Sequence, residues 1–191
     1  MPRVYTQRAG KDYPKDGIKK GDVYYQWAFF RGPTQRSKTR PRASQTIASP
    51  TLSGAYAVQE GLDDALAAAG SPAAASSPAD YAEALNNAVS ELESNIEEHE
   101  ESISNMEQTF TGGSPTIDEF TERRDKLEDW KTALESAAGE IDGLDAADYK
   151  DVVEDAGKDV NEYADLSDLG KGAMKDAAAK LAQDAAGEFP L

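Results

Sequence analysis

The chain has 191 residues, no cysteine and a formal net charge of −16. Without cysteine it forms no disulfide and no thiolate metal site, which excludes zinc-finger functions. No apolar run approaches the roughly 20 residues that a membrane-spanning helix needs, and the first residues lack the apolar stretch of a secretory leader. We therefore expect a protein that has no membrane partner and that works in the cytoplasm.

Charge is divided unevenly along the chain. Residues 1–50 contain 11 Lys/Arg and 3 Asp, a net charge of +8, whereas residues 51–191 contain 9 Lys/Arg and 33 Asp/Glu, a net charge of −24. Net charge governs solubility and the choice of partner more than it governs fold. The division therefore predicts a basic contact module joined to an acidic body, although adaptation to a high-salt habitat explains the acidity equally well.

Composition and pattern predict a mainly α fold with a small N-terminal β element. A long antiparallel helical hairpin, coiled-coil-like, would accompany a basic β-hairpin module. The predicted regions are a basic aromatic β-hairpin module at 1–48, a short helix and small-residue linker at 49–76, a helical hairpin at 77–141 and an acidic helical C-terminal region at 142–191. The low-complexity segment at 70–78 is the expected main boundary.

The N-terminal module is predicted from aromatic density at 22–31, because aromatic residues favour strands. Alternation places Val23, Tyr25, Trp27 and Phe29 on one face, the expected core face, and Tyr24, Gln26, Ala28 and Phe30 on the other. Turn residues at 17–22 and 32–34 indicate a meander of two or three strands.

The same module is a candidate for binding nucleic acid. Cations that neutralise phosphates give sequence-independent affinity, and an aromatic side chain stacked on a base adds about 1–3 kcal/mol on single strands. The candidate residues are the cations Lys19, Lys20, Arg31, Arg36, Lys38, Arg40 and Arg42, with Tyr24 and Phe30 for stacking. A competing hypothesis is that the aromatics form the sheet's own core, while the cations pair with the chain's acidic helices or with an acidic protein.

Two helices are predicted after the linker at 43–50. The first extends from Leu52 to about Ala69. The second extends from Pro78 to Phe110, with Ser77 and Asp80 providing a typical helix start. Its apolar positions recur in an unbroken heptad pattern, namely Leu85, Val89, Leu92, Ile96, His99, Ile103, Met106 and Phe110. A helix of this length spans about 50 Å and needs a long partner.

The partner helix is predicted to follow a short loop at 111–115. Thr116 and Glu119 match a capping box. A second pattern of alternating spacing comprises Ile117, Phe120, Arg124, Leu127, Lys131, Leu134, Ala138 and Ile141, flanked by Trp130. Short loops make neighbouring helices antiparallel, so Phe120, Leu127 and Leu134 are expected to pair with the first helix.

Homodimerisation stays open at this stage. Val89, Ile96 and Ile103 on one line of the heptad pattern, with Leu85 and Leu92 on the other, are typical of parallel two-stranded coiled coils. Beyond the predicted hairpin, weaker amphipathic stretches around 149–163 and 174–181 indicate helices interrupted by glycines.

No combination of residues indicates catalysis. The chain has no nucleophile motif, no glycine loop that would hold a phosphate and no EF-hand spacing, so we expect a non-enzyme without cofactor or metal. The single histidine, His99, has no second ligand nearby and is expected to set helix register or partner geometry. The glutamates around it, at 97, 98, 100 and 101, would raise its proton affinity and so suggest a pH-sensitive helix contact. Together with Glu91 and Glu93 they are expected to form a solvated helix surface rather than a cation-binding face.

The N-terminal run Lys11-Asp-Tyr-Pro-Lys-Asp-Gly-Ile-Lys-Lys-Gly-Asp-Val-Tyr-Tyr-Gln-Trp27 resembles uncharacterised proteins encoded by tailed bacteriophages. The similarity continues through Arg36–Thr39, Ser44–Thr46, Asn105-Met106 and Glu122–Trp130, and covers about residues 8–139. The resemblance implies a viral origin and contributes no mechanism.

The expected function is that of a non-enzymatic phage accessory protein in the host cytoplasm. Its basic module would contact nucleic acid or an acidic partner, and its acidic helices would act as spacer or assembly surface. The alternative is a structural or interaction protein that acts through its coiled-coil helices. Such a protein would be virion-associated or bound to a viral or host protein, and its acidic surface would in one version mimic DNA.

Overall fold

A computed structural model describes residues 2–29, 32–71, 76–109, 114–151, 154–155 and 157–191. Across these residues the protein is mainly helical with a small N-terminal antiparallel sheet, which confirms the predicted fold class at this level. The elements are β1 (Tyr5–Arg8), β2 (Val23–Ala28), β3 (Thr34–Ser37), α1 (Pro50–Ala69), α2 (Pro78–Thr109), α3 (Pro115–Asp142) and α4 (Asp168–Gly187).

The chain divides into two compact units. The sheet unit comprises Met1–Ala57 and the helical unit comprises Val58–Leu191, so the division falls inside α1. The segment at 70–78, where the sequence suggested the main boundary, lies within the helical unit, and its residues 72–75 are outside the described ranges.

The sheet has the order β1-β2-β3, with both pairs antiparallel. Tyr5 lies opposite Gln26 in the first pair, and Gln26 lies opposite Arg36 in the second. Side chains that lie directly opposite each other share a face, so two faces can be assigned from the register. The tyrosine face carries Tyr5, Gln7, Tyr24, Gln26 and Arg36, and the tryptophan face carries Thr6, Arg8, Val23, Tyr25, Trp27, Gln35 and Ser37.

Each face of β2 buries one aromatic ring, whereas the sequence pattern predicted one core face. Trp27 is buried as expected, but Val23 on the same face is 52% exposed and Tyr24 on the opposite face is only 3% exposed. The expected core face is therefore wrong for Val23, and the expected exposure of Tyr24 is wrong.

The cause is the segment between β1 and β2, which folds back over Tyr24. It is closed by hydrogen bonds from Ala9 N to Asp22 O (2.8 Å) and from Gly21 N to Ala9 O (2.8 Å), and by a bridge between Tyr13 and Ile18. Positive φ angles of 65° at Gly17 and 95° at Gly21 allow its turns, as the glycine positions predicted. Ala9, Ile18 and Tyr24 form a buried cluster.

In the helical unit, α2 begins at the predicted residue. Asp80 accepts hydrogen bonds from the Ser77 backbone N–H (2.5 Å) and from the Ser77 hydroxyl (3.1 Å), which satisfies polar groups at the helix start. The start of α3 differs from the prediction, because Ser114 rather than Thr116 is the N-cap and accepts from Thr116 N at 3.3 Å. Pro115 favours this start, since its fixed φ suits the first helical position.

The core of the helical unit consists mainly of leucine, alanine and one tryptophan. Leu85, Leu92, Leu127 and Leu134 are each fully buried. Trp130 is 2% exposed and donates its indole N–H to the Ala185 carbonyl of α4 at 3.0 Å. The C-terminal helix is therefore tied to α3 by a hydrogen bond between residues 55 positions apart.

Between α3 and α4 the chain is irregular, where the sequence suggested an amphipathic helix around 149–163. Only two short 3₁₀ turns, Ala146–Tyr149 and Tyr163–Asp165, are described there, and Val152 and Val153 of the predicted pattern lie outside the described residues. Asp155 organises this segment, since its buried carboxylate accepts from the backbone N–H groups of Asp151 (3.1 Å) and Ser167 (3.3 Å).

Candidate nucleic-acid interface

Among the described residues, the tyrosine face places an aromatic, an amide and a cation in a row across the three strands. Tyr5 of β1, Gln26 of β2 and Arg36 of β3 lie opposite one another in register. Tyr5 is 48% exposed, and the Arg3 guanidinium lies 5.6 Å from the centroid of its ring. Neighbouring strands are about 4.8 Å apart, so the row spans about 10 Å.

Arg36 is held at one end of this row by Tyr13. Its guanidinium lies 4.5 Å from the Tyr13 ring centroid, a cation–π distance, and 3.8 Å from the Asp16 carboxylate. Its Nε is buried and has no hydrogen-bond partner among the described residues. The Lys11 ammonium lies 5.6 Å from the same ring. Tyr13, Lys11, Lys15, Asp16 and Arg36 line an open groove of about 320 Å³.

Tyr24, which the sequence suggested as a stacking residue, is not accessible. Its ring packs against Tyr13 with centroids 5.7 Å apart, and its hydroxyl donates to Gln7 (3.3 Å) or Gln26 (3.4 Å). Burial, together with the neighbouring Tyr13, raises the pKa of Tyr24. Tyr24 therefore supports the sheet unit from within, and Tyr5 is the exposed ring among the described residues of this face.

Three of the predicted cations lie around the turn that precedes β2 and at the end of β3. Lys19 and Lys20 are exposed. The Lys38 ammonium, also exposed, pairs with Asp22 at 3.0 Å. The Lys19 backbone N–H and the Lys38 ammonium, which donate to the carboxylate, hold the pKa of Asp22 below its ordinary value.

The remaining predicted contacts follow β3 or precede it. Arg40 and Arg42 are exposed, and the Arg42 backbone N–H donates to Gln45 at 3.1 Å. Phe30 and Arg31 lie outside the described residues. The structure thus brings Arg36, Lys38 and the exposed Lys19 and Lys20 into one unit with two aromatics that sequence reasoning did not select, Tyr5 and Tyr13.

The sheet unit contains few carboxylates to neutralise its cations. Asp12 accepts from the Lys20 backbone N–H at 2.6 Å, Asp16 pairs with Arg36, and Asp22 pairs with Lys38. These are the only acids among the first 50 residues, which carry 11 Lys/Arg. A surplus of positive charge therefore remains on the unit, as an anion-binding surface requires.

The predicted helix-pairing residues are mostly buried within the chain. Those with at most 8% exposure are Leu85, Val89, Leu92, Ile96, His99, Leu127 and Leu134, whereas Ile103, Met106 and Phe120 are half-buried and Phe110 lies outside the described residues. A second copy of the chain would reach the buried positions only if the helical unit opened.

Two ion pairs connect α2 with α3, and the order of their residues along α2 is the reverse of the order along α3. Glu93 pairs with Lys131 at 2.7 Å, and Glu100 pairs with Arg124 at 3.6 Å. The hydrogen bond from Lys131 to Glu93 raises the pKa of this lysine.

His99 lies inside this contact and is fully buried. Its Nδ1 is 2.9 Å from the Asn95 carbonyl, which fixes Nδ1 as the donor, and its ring centroid is 5.9 Å from that of Phe120. Its Nε2 has no hydrogen-bond partner. The burial agrees with a role in helix packing, while pH sensitivity stays a prediction.

No group of three or more His, Cys, Asp or Glu side chains in the described part of the chain is placed to hold a metal ion. Likewise, none of the described helices combines the length and the apolar character needed to cross a bilayer.

Comparison with known proteins adds no assignment. No protein-family model, no curated protein and no solved structure matches the chain.

Proposed function

We propose that the protein is a non-enzymatic phage accessory protein that contacts nucleic acid through its sheet unit. The observation that carries the proposal is the charge of that unit: its three carboxylates are engaged locally, and exposed cations such as Lys19 and Lys20 remain. A phosphate backbone supplies the complementary charge in a continuous line.

In this proposal the helical unit serves as spacer or assembly surface. Helices α2 and α3 would form a coiled-coil-like antiparallel hairpin, an arrangement supported by the order of the Glu93–Lys131 and Glu100–Arg124 pairs. With 32 residues, α2 alone is about 48 Å long. The acidic surface would repel nucleic acid, so binding would be restricted to the sheet unit.

The test is binding of the full chain to fluorescent oligonucleotides, single- and double-stranded, over a salt series. Neutralisation of about four phosphates predicts a loss of affinity of about 100-fold between about 50 mM and about 200 mM salt. Absence of binding at low salt would refute the proposal.

A charge-matched pair of variants locates the contact. Changing Lys19, Lys20, Arg36 and Lys38 together to Ser should abolish binding without unfolding the helices. The control changes four cations of the helical unit to Ser, namely Lys126, Lys171, Lys175 and Lys180. Because both variants lose four positive charges, a difference between them reports position rather than net charge.

The second candidate is a structural or interaction protein that acts through its helices. It is favoured by the exposed acidic side chains of α2, Glu91, Glu97, Glu98 and Glu101, and by the half-buried Ile103 and Met106 near its end. This surface would bind a virion or host protein, a second copy of the chain, or a DNA-binding protein that accepts a DNA mimic. Sedimentation tests self-association: a dimer supports pairing through α2, and a monomer at high concentration excludes the second copy.

A further inference from the structure

We infer that the tyrosine face binds single-stranded nucleic acid, with Tyr5 stacking on a base and Arg36 binding a backbone phosphate. This inference rests on the proposed function, which by itself does not distinguish single strands from duplexes. It assigns the contact to a row of side chains rather than to charge alone.

Tyr5 lies on the edge strand β1 and is exposed to solvent. It is 48% exposed, whereas the other tyrosine of the same face, Tyr24, is 3% exposed. An exposed aromatic side chain is available to a base, and stacking on aromatic side chains is the usual means of holding unpaired bases. The bases of a duplex are already stacked on one another, so Tyr5 offers a duplex much less.

The guanidinium of Arg36 is oriented by contacts within the sheet unit. Tyr13 lies 4.5 Å below the guanidinium and Asp16 lies 3.8 Å from it, so the group is oriented before a ligand arrives. The Arg36 side chain is 27% exposed, although its Nε is buried. The planar guanidinium matches the geometry of phosphate oxygens, and orientation in advance lowers the entropic cost of binding.

Strand register fixes the distance between Tyr5 and Arg36. Tyr5 and Arg36 flank Gln26 in register, so they are separated by two strand spacings, or about 10 Å. Arg3 beside Tyr5 and Lys11 beside Tyr13 add a cation at each end of the row. A single-stranded nucleic acid that crosses the sheet would thus contact positive charge and an aromatic ring together. An acidic polypeptide would need the positive charge but not the aromatic ring.

The experiment measures the affinity of the full chain for oligo(dT), for a duplex of equal length and for polyglutamate at one fixed salt concentration. The variants are Tyr5→Ala, Tyr5→Phe and Tyr25→Ala, the last on the opposite face of the sheet. Circular dichroism checks that each variant keeps its helices and sheet.

The inference predicts that Tyr5→Ala weakens oligo(dT) binding by about 5-fold to about 150-fold, the range expected for one lost stacking contact. Duplex affinity should stay the same, Tyr5→Phe should bind oligo(dT) like the parent chain because the ring remains, and Tyr25→Ala should have little effect.

Several outcomes would overturn the inference. If the parent chain binds oligo(dT) and the duplex with equal affinity, and Tyr5→Ala has no effect, the inference is wrong and the proposed function stays intact. An affinity for polyglutamate equal to the affinity for oligo(dT) would assign the tyrosine face to acidic proteins. Absence of binding to any nucleic acid would remove the proposed function and this inference together.

Discussion

The two units of the chain use their large side chains differently. In the helical unit, Leu85, Leu92, Leu127 and Leu134 are fully buried, and Trp130 is 2% exposed with its N–H satisfied. In the sheet unit, the cluster around Tyr24 has Ala9 and Ile18 as its further buried members among the described residues, and Trp27 is buried at 8% exposure on the other face of β2. Apolar burial stabilises the first unit, whereas the second combines a small core with aromatic and cationic surface. Folding and binding should therefore be separable by mutation.

The largest effect on stability is expected from a cavity in the helical unit. Leu92 is fully buried in α2, so Leu92→Ala should lower the free energy of unfolding by about 2–5 kcal/mol. Urea denaturation followed by circular dichroism measures the change. The exposed neighbour Glu91 provides the control, since Glu91→Ala should shift stability by no more than about 0.5 kcal/mol. Equal effects of the two would mean that α2 is not packed as described.

A smaller effect, on binding alone, is expected from the sheet unit. Arg36→Ala removes the cation that Tyr13 orients, so it should weaken oligonucleotide binding at every salt concentration and reduce the salt-dependence slope by about 1. The matched control is Arg123→Ala in α3, because Arg123 also lies near an aromatic ring, Phe120, and pairs with a carboxylate, Glu119. A loss of affinity in the control equal to that of Arg36→Ala would contradict the assignment to the sheet unit.

The smallest expected effect depends on pH and concerns the irregular segment before α4. Burial alone would raise the pKa of Asp155, but the Ser167 N–H, the Lys158 ammonium and the Asp151 N–H outweigh it and hold the pKa below the ordinary value of 3.8. A carboxylate whose pKa is lowered by folding stabilises the folded state above its unfolded pKa. That contribution is lost as pH falls through the folded value.

The corresponding measurement is the Tm of the parent chain and of Asp155→Asn between neutral pH and about pH 3. The variant should melt at a lower temperature near neutrality, because an amide group facing backbone N–H donors leaves hydrogen bonds unmade. The difference should shrink once the pH falls below 3.8. A constant difference over the whole range would exclude the carboxylate charge as its cause.

The long helices could be predicted because their determinants are local. Pro78 with Ser77 and Asp80 defines the start of α2, and the spacing of Leu85, Leu92 and Ile96 reports the face that is buried. The N-cap of α3 was misplaced by two residues, since Thr116 fits a capping box but Pro115 already occupies the first helical position.

Contacts between distant residues could not be predicted in the same way. The alternation in β2 gave no indication that Ile18 and Ala9 would cover Tyr24, because both are isolated apolar residues in a polar segment. The bond from Trp130 to Ala185 joins positions 55 apart and has no sequence pattern. Among the site residues, the surplus of cations was visible in the sequence, whereas the exposure of Tyr5 depends on strand register. The stacking of Arg36 on Tyr13 depends also on how the segment between β1 and β2 folds back.

The most direct test of the central claim is lysine footprinting of the full chain with and without oligo(dT), with modification of each lysine read by mass spectrometry. The account predicts protection in the sheet unit at Lys11, Lys19, Lys20 and Lys38, and unchanged modification in the helical unit at Lys171, Lys175 and Lys180. Protection confined to the helical unit, or no protection at an oligonucleotide concentration that saturates binding, would contradict it.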